Sequence, residues 1–224
     1  MGRAKEIIVK IIPSKIANNF VKKHHYSGKV VPNSKIHFGC FLDNQLHGVM
    51  SYGASINKKG TINLVKNTGW NEFIELNRMA FDDYLPKNSE SRCISISIKM
   101  IKKNAPHIKW IISFADGTQC GDGTIYRASG FKLVEVRKNA GICKLNGQVS
   151  HIKKTYDLGL TSSFLKKSDI PKLKQKGYDV EILDGFQLKY IFLIDKTCEI
   201  NAEILPFSYI KEVGAKMYKG LKNG

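Results

Sequence analysis

Between Ile36 and Ser55 the chain reads IHFGCFLDNQLHGVMSYGAS, two apolar runs that meet at Asp43-Asn44. Asn and Asp enter positive φ more easily than other side chains, so this pair between strand-like runs specifies a β-hairpin. A two-stranded ribbon is barely stable alone, and one this apolar demands further strands and a covering layer. The neighbouring segments supply both. EIIVKIIP (6–13) reads as a strand stopped by Pro13, with Ser14 as the expected N-cap of a helix that presents Ile16, Phe20 and Val21 and ends at Gly28. FIELNRMAF (73–81) is the next strand, and the polar loop DDYLPKNSES (82–91) follows it.

RCISISIKMIKKN (92–104) alternates at period 2 in its first half, yet its length, the Ser89 or Ser91 cap candidates and the spacing of Ile94, Ile98 and Ile101 predict a helix stopped by Pro106. KWIISFADG (109–117) is a buried strand ending on Asp116-Gly117, and GTIYRASGF (123–131) a short helix closed by Gly130. KLVEVRK and HIKKTYDLG continue the sheet. SDIPKLKQKGYDVEILDGFQLKYIFLIDK (168–196) is expected to form a basic helix ended by Gly177 and then a hairpin turning at Asp184-Gly185. The order β-α-β-β-β-α-β-α-β makes a mixed α/β (α+β) fold with helices on the faces of the sheet.

A chain of 224 residues with 42% hydrophobic content can bury a full core, and a single domain is expected over residues 1–224, with a core at about 5–160 and a C-terminal elaboration at about 161–224. The five cysteines, Cys40, Cys93, Cys120, Cys143 and Cys198, are scattered without a C-x-x-C pair, which excludes a disulfide framework and fits a reducing cytoplasm. No apolar run approaches the roughly 20 residues needed to span a bilayer, and MGRAKEIIVKIIPSK lacks the features of a secretory signal. The expectation is a soluble, cytoplasmic protein with no membrane partner. The sequence leaves its oligomeric state open, a homodimer among the options. Charge says more: 36 Lys+Arg against 19 Asp+Glu gives +17. Short clusters such as Lys22-Lys23, Lys58-Lys59, Lys102-Lys103, Lys153-Lys154 and Lys166-Lys167 suit a fold that meets a phosphate backbone on several faces. AT-rich coding also enriches Lys, but by itself should not leave so large an imbalance.

The element order, the strand ELNRMAF and the closing Tyr-Arg-Ala-Ser-Gly-Phe (126–131) resemble the GNAT acetyltransferase fold, with a mostly antiparallel central sheet. HHYSGKVVP (24–32), LNRMAF…PKNSESR (76–92), SFADGTQCGDGTIYRASGF (113–131) and the FLDNQLHGVMSYG hairpin together resemble the Mom family of phage adenine-modifying proteins. This resemblance implies a product in which N6 of adenine in double-stranded DNA bears a carbamoylmethyl group that hides the site from host restriction enzymes. The GNAT likeness implies acetyl-CoA or a related acyl donor. One departure is plain: a GNAT cradles the pyrophosphate with a Gly-rich loop, whereas residues 86–92 here read PKNSESR with no glycine. Ser89, Ser91 and Arg92 at the helix start are left to hold a phosphate through hydroxyls, charge and dipole.

Asp116 is the foremost catalytic candidate, because a carboxylate at a strand end followed by Gly117, Gly121 and Gly123 lets backbone approach a ligand. A turn-capping Asp is the plain alternative. Tyr126 follows on the short helix, where a buried core tyrosine is the alternative. His24 and His25 lie about 100° apart on a helix, so one of them is chosen, His25 with Tyr26; a solvated histidine at a helix C-terminus is the alternative. His25, Asp116 and Tyr126 would offer imidazole, carboxylate and phenol, a set that suits iron better than a thiol-loving metal. Arg78 sits mid-strand among Leu76, Met79 and Phe81 and needs an anionic partner, either the donor or an ion pair with Glu75 or Asp82. Trp70, Tyr52 and Tyr84 could stack on a base. Two rivals remain open at this point: a general GNAT N-acetyltransferase acting on an amine or protein, and a basic DNA-binding protein with no activity.

Overall fold

The computed structural model describes residues 3–138, 142–151, 167–183, 185–218 and 221–222. A 3-10 turn (Arg3–Glu6) leads into β1 (Ile8–Ile11) and α1 (Ser14–His24), and the hairpin follows as β2 (Ser34–Leu42) and β3 (Gln45–Gly53). Next come α2 (Lys58–Thr61), β4 (Phe73–Phe81), α3 (Ser89–Asn104), β5 (Trp110–Asp116), α4 (Gly117–Cys120), α5 (Thr124–Ala128) and β6 (Lys132–Lys138). Then β7 (Ile142–Leu145), β8 (Gln148–His151), α6 (Ile170–Gln175), β9 (Val180–Ile182), β10 (Phe186–Leu193) and α7 (Tyr209–Glu212) follow, before a two-stranded ribbon.

The chain divides into two compact units. The first comprises Met1–Phe114, Thr124–Val134 and Lys189–Leu205, and the second Ala115–Gly123, Glu135–Leu188 and Pro206–Gly224. The seven-stranded sheet, in the order β1-β2-β3-β4-β5-β10-β6, lies mostly in the first unit, with β5, β6 and β10 running on past its limits. β1 to β4 pair antiparallel in succession, and β4 pairs β5 in parallel. In the second unit β8-β7-β9 form a small sheet packed on Cys143, Leu173 and Val180. Among the described residues no helix is long and apolar enough to cross a membrane.

The hairpin turns where expected. Asp43 and Asn44 hold φ of 51° and 61°, the double positive φ whose twist matches the flanking strands. α3 is a helix throughout, because Cys93, Ile94, Ser97, Ile98 and Ile101 recur at helical spacing and are buried against the sheet.

Three local expectations are corrected. Pro13, not Ser14, occupies the cap of α1, and Ile16 is 47% exposed while Ala17 and Val21 are buried. The seam runs through i and i+4, and Ile16 lies one residue, about 100°, off it. At α3 neither serine caps the helix: Ser89 Oγ donates to the Pro86 carbonyl and Ser91 Oγ to the Asn88 carbonyl, with Asn88 left-handed at the cap. Finally, β9 does not form a hairpin with β10. β9 pairs with β7 in the register Cys143↔Ile182, while β10 sits between β5 and β6. Leu188, Tyr190 and Ile191 are fully buried, as befits a strand with neighbours on both sides and not an edge. The expected strand from Ile152 onward, Lys153-Lys154, Lys166 and Asp184 lie outside the described residues.

At the root of β4 and β5, Phe73 and Trp110 stack with centroids 4.4 Å apart and planes 11° from parallel, and the indole N–H donates to Thr68 Oγ1 at 3.1 Å. Trp110 has no exposed surface. Truncating it leaves a large cavity and removes the indole donor from Thr68 Oγ1, which keeps only its bond to the Val65 carbonyl, so Trp110→Ala should destabilise the protein by about 3–5 kcal/mol. Trp110→Phe should cost clearly less. Guanidinium unfolding of both variants checks the order, and a change within error for the alanine variant would refute it.

Candidate active site

β4 and β5 are paired from Phe73↔Trp110 as far as Leu76↔Ser113, and there their pairing ends. β4 continues against β3 to Phe81. The β3 register slips between Ser51↔Arg78 and Tyr52↔Leu76, which leaves Asn77 as an extra residue, a β-bulge. Bulges re-aim side chains, and here the shift falls on the first residue of β4 beyond its pairing with β5.

Two polar groups flank this point, one on each face of the sheet. On the α3 face, fully buried Ser113 has its Oγ 3.2 Å from the Leu76 carbonyl and 2.9 Å from the Tyr126 phenol oxygen. The serine's one proton faces both acceptors, the Leu76 carbonyl and the Tyr126 phenol. Tyr126 stacks on Tyr190 at 4.7 Å and meets the edge of Phe131. Tyr52, a register partner of Leu76, bonds Ser97 on α3 at 2.7 Å, and burial pushes its phenol well up. Tyr126 lies close enough to raise it further.

On the other face stand His25, Arg78, Glu75 and Asn77. α1 ends at His24, and His25 then turns so that its Nδ1 accepts from the Ser27 main-chain N–H at 3.1 Å, with Ser27 Oγ 2.8 Å away. Accepting at Nδ1 puts the proton of the neutral ring on Nε2. Burial, assisted by Arg78, pulls its pKa down to about 4. Arg78 donates from Nε to the Lys29 carbonyl and from Nη1 to the Asn77 carbonyl, each at 3.0 Å. Glu75 senses that charge, yet Arg78 makes no salt bridge among the described residues. Asp82, the other expected partner, bonds His47 Nδ1 at 2.9 Å and the Tyr84 N–H at 3.0 Å. Glu75 itself is buried, and burial raises its carboxyl against the opposing help of Ser55, Asn77 and the Ile56 main chain. Asn77 also accepts from Ser34 Oγ.

The expected constellation therefore divides. His25 and Tyr26 are adjacent, their rings 4.3 Å apart, and they share the Arg78 face; Tyr126 lies on the opposite face of the same sheet. Asp116 belongs to the second unit, where its carboxylate accepts from the Thr118 N–H at 3.0 Å and so caps α4. Gly121 and Gly123 hold positive φ just beyond, as a tight loop requires. The expected donor group divides too. Ser89, Ser91 and Arg92 start α3, with Arg92 Nη2 on the Lys5 carbonyl, whereas Arg78 is with His25. No cluster of three or more His, Cys, Asp or Glu suited to a metal occurs among the described residues. The donors also fit iron poorly, since His25 carries its proton on the free nitrogen and Tyr126 is engaged with Ser113.

The sequence reading missed Glu75 and Asn77 as members of the site, and Ser113 as the partner of Tyr126. A carboxylate and an amide alternating along ELNR in an otherwise apolar strand were the available signal.

Comparison with known proteins gives a consistent picture. The family model described as Mom protein family matches residues 6–211. The methylcarbamoylase Mom of Escherichia phage Mu is 36% identical over 149 residues, an alignment spanning 66% of this chain and 61% of that protein. Among solved structures, an N-acetyltransferase from Staphylococcus aureus Mu50 is similar with a TM-score of 0.50 at 9% identity, covering 84% of this chain and 99% of that one. The fold is thus GNAT-like, a mixed and mostly antiparallel sheet flanked by helices.

The lowered value of His25 has a defined consequence for stability. An imidazole that drops from 6.5 to about 4 on folding is protonated more readily in the unfolded chain. Its contribution is complete above the unfolded value and is lost as pH falls from there toward the folded value. His25→Gln lacks that titration, so its denaturation midpoint should fall less than the wild type's between about pH 7 and about pH 4.5. Equal losses in both proteins would show that the ring titrates normally.

Proposed function

Because the chain belongs to the Mom protein family, we propose that it is an enzyme that modifies adenine in DNA, attaching a carbamoylmethyl group to N6 and so protecting phage DNA from restriction. The observation that carries this reading is the extent of the family match, which runs from residue 6 to residue 211 and includes His25, Arg78, Asp116 and Tyr126.

The amine of adenine is a weak nucleophile because its lone pair is delocalised into the ring. Attack on the carbonyl of an acyl donor would expel the thiolate and give an N6-acyl product, whereas carbamoylmethylation forms its C–N bond at the neighbouring carbon; starting from an acetyl thioester, that carbon would have to give up a hydrogen and two electrons to an oxidant, and an ammonia equivalent would have to displace the thiolate. The chain's own part is to bring N6 out of the helix, hold it, and hold the donor. Base extrusion costs a few kcal/mol, recovered by stacking and edge contacts in a pocket. Arg78 suits the donor's carbonyl or phosphates, since its guanidinium is oriented by two carbonyl groups and makes no salt bridge among the described residues. Its neighbours His25, as an Nε2–H donor, and buried Glu75 are the groups able to receive or return a proton on that face. Tyr126, on the opposite face of the sheet, and Asp116, in the second unit, are proposed as further catalytic residues, each in its own surroundings. For the donor, an acyl-CoA-type molecule, the start of the 16-residue α3, with Ser89, Ser91 and Arg92, supplies dipole and charge. Both hydroxyls already donate to loop carbonyls and Ser89 is fully buried, so the two serines hold the loop while the helix dipole and Arg92 are left to meet a phosphate.

Mass spectrometry of nucleosides from the DNA of cells expressing this chain should reveal a modified adenine heavier by a carbamoylmethyl group. Unmodified adenine throughout, with the protein folded and present, would overturn the assignment. Arg78→Ala should abolish the modification while leaving DNA affinity nearly unchanged. Tyr126→Phe, which removes one hydroxyl and keeps the ring, should lower activity at least tenfold, on the order of what an acid–base group contributes. Full activity in the phenylalanine variant would leave Tyr126 as core packing on Tyr190.

A further inference from the structure

The connection between β3 and β4 reads ASINKKGTINLVKNTGWNE from Ala54 to Glu72, with three lysines, four asparagines and one acidic residue, Glu72, which is paired with Lys109 and accepts from the Gly69 main-chain N–H. It carries two strongly exposed apolar side chains, Ile56 at 79% and Trp70 at 47%. Exposed tryptophan is uncommon, because the indole is costly to leave in water. Here it is also held in place. Lys58 Nζ lies 4.8 Å from the Trp70 ring centroid and 5.7 Å from that of Phe73, and donates to Asn71 Oδ1 at 3.3 Å. Lys66 is paired with Glu199, so the available cations of the patch are Lys58 and Lys59.

This surface is continuous with the polar cluster of the sheet. Ser55 and the Ile56 main chain face the Glu75 carboxyl, Glu75 senses Arg78, and Arg78 lowers His25. Only one residue separates the buried groups around Glu75 from the exposed side chain of Ile56. A patch that combines a fixed aromatic face, two ammonium groups that make no salt bridge among the described residues and several amides, its one carboxylate already paired with Lys109, has the chemistry of a nucleic-acid platform. Lysines and amides meet phosphates, and the ring accepts any base.

We propose that Ile56, Lys58, Lys59 and Trp70 form the surface on which this protein grips DNA, with Trp70 stacked on a base uncovered when the target adenine leaves the helix. The inference rests on the DNA-modifying reading above and names the part of the chain that meets the duplex.

The chain has two tryptophans, and Trp110 is completely buried, so a change in indole emission on adding DNA reports on Trp70. Wild-type protein is titrated with a matched duplex and with the same duplex carrying one mispaired adenine, at several salt concentrations. The emission of Trp70 should be quenched, more strongly by the mispaired duplex. Trp70→Ala should weaken binding of the mispaired duplex about tenfold, and Trp70→Tyr should restore most of it. Lys58→Gln with Lys59→Gln should reduce the log–log salt slope by about 1.8. Unchanged emission at saturating DNA, or unchanged affinity in Trp70→Ala, overturns the proposal. Nucleoside analysis of the same strains separates the two failures. Modified adenine in the wild type together with an inert Trp70 overturns this surface alone, whereas no modification and no DNA binding by the wild type overturns the underlying reading and the surface with it.

Discussion

Strand β4 is paired with β5 as far as Leu76 and with β3 alone beyond it, and the chemistry of the first unit gathers at that change. Where parallel strands part, main-chain groups lose their ladder partners and must find others. The Ser113 hydroxyl takes the Leu76 carbonyl, and in doing so fixes the Tyr126 phenol. The bulge at Asn77 absorbs the mismatch with β3 and re-aims the side chains that follow. Tyr126 on one face and the group of His25, Arg78 and Glu75 on the other are both consequences of the same parting.

The balance of charge on the Arg78 face follows from how that arginine is held. Carbonyl dipoles orient a guanidinium without cancelling it, so its field reaches its neighbours intact. It opposes protonation of His25, adding to the effect of burial, and it partly offsets the burial that raises Glu75. A carboxylate in direct contact with Arg78 would weaken both effects. An anionic ligand placed there would find a cation still in need of a partner.

Much of the fold was legible from residue patterns, because its strongest signals are local. Asp43-Asn44 between two apolar runs fixes a turn without reference to the rest of the chain, and the spacing of Ile94, Ile98 and Ile101 outweighs the period-2 alternation ahead of it. The placement of β10 was not legible, since a short apolar strand after β9 reads equally as the second arm of a hairpin; only the competition for the slot beside β5 decides it. The candidate site was legible in its members and not in its grouping. Arg78 announced itself as a cation in an apolar strand. That Tyr126 and His25 stand on opposite faces depends on strand register and on a one-residue bulge, which no spacing along the chain encodes. Glu75 was overlooked because its significance comes from what surrounds it, namely Ser55, Ile56, Asn77 and Arg78, three of them contributed by other turns of the backbone or by the bulge itself.

The position of β10 bears on how such a protein comes to be folded. It is the last of the seven strands in chain order, yet it lies inside the sheet, between β5 and β6. The ribosome releases β5 and β6 well before residues 186–193 emerge, so the two earlier strands cannot settle against each other without later having to separate. Neither compact unit corresponds to one continuous stretch of chain, because each is assembled from three. Contacts between residues so distant in sequence close slowly, since the entropy of the intervening loop is lost before they repay it. If β5 and β6 take their final places first, a slot one strand wide stays between them until Phe186–Leu193 arrives to fill it.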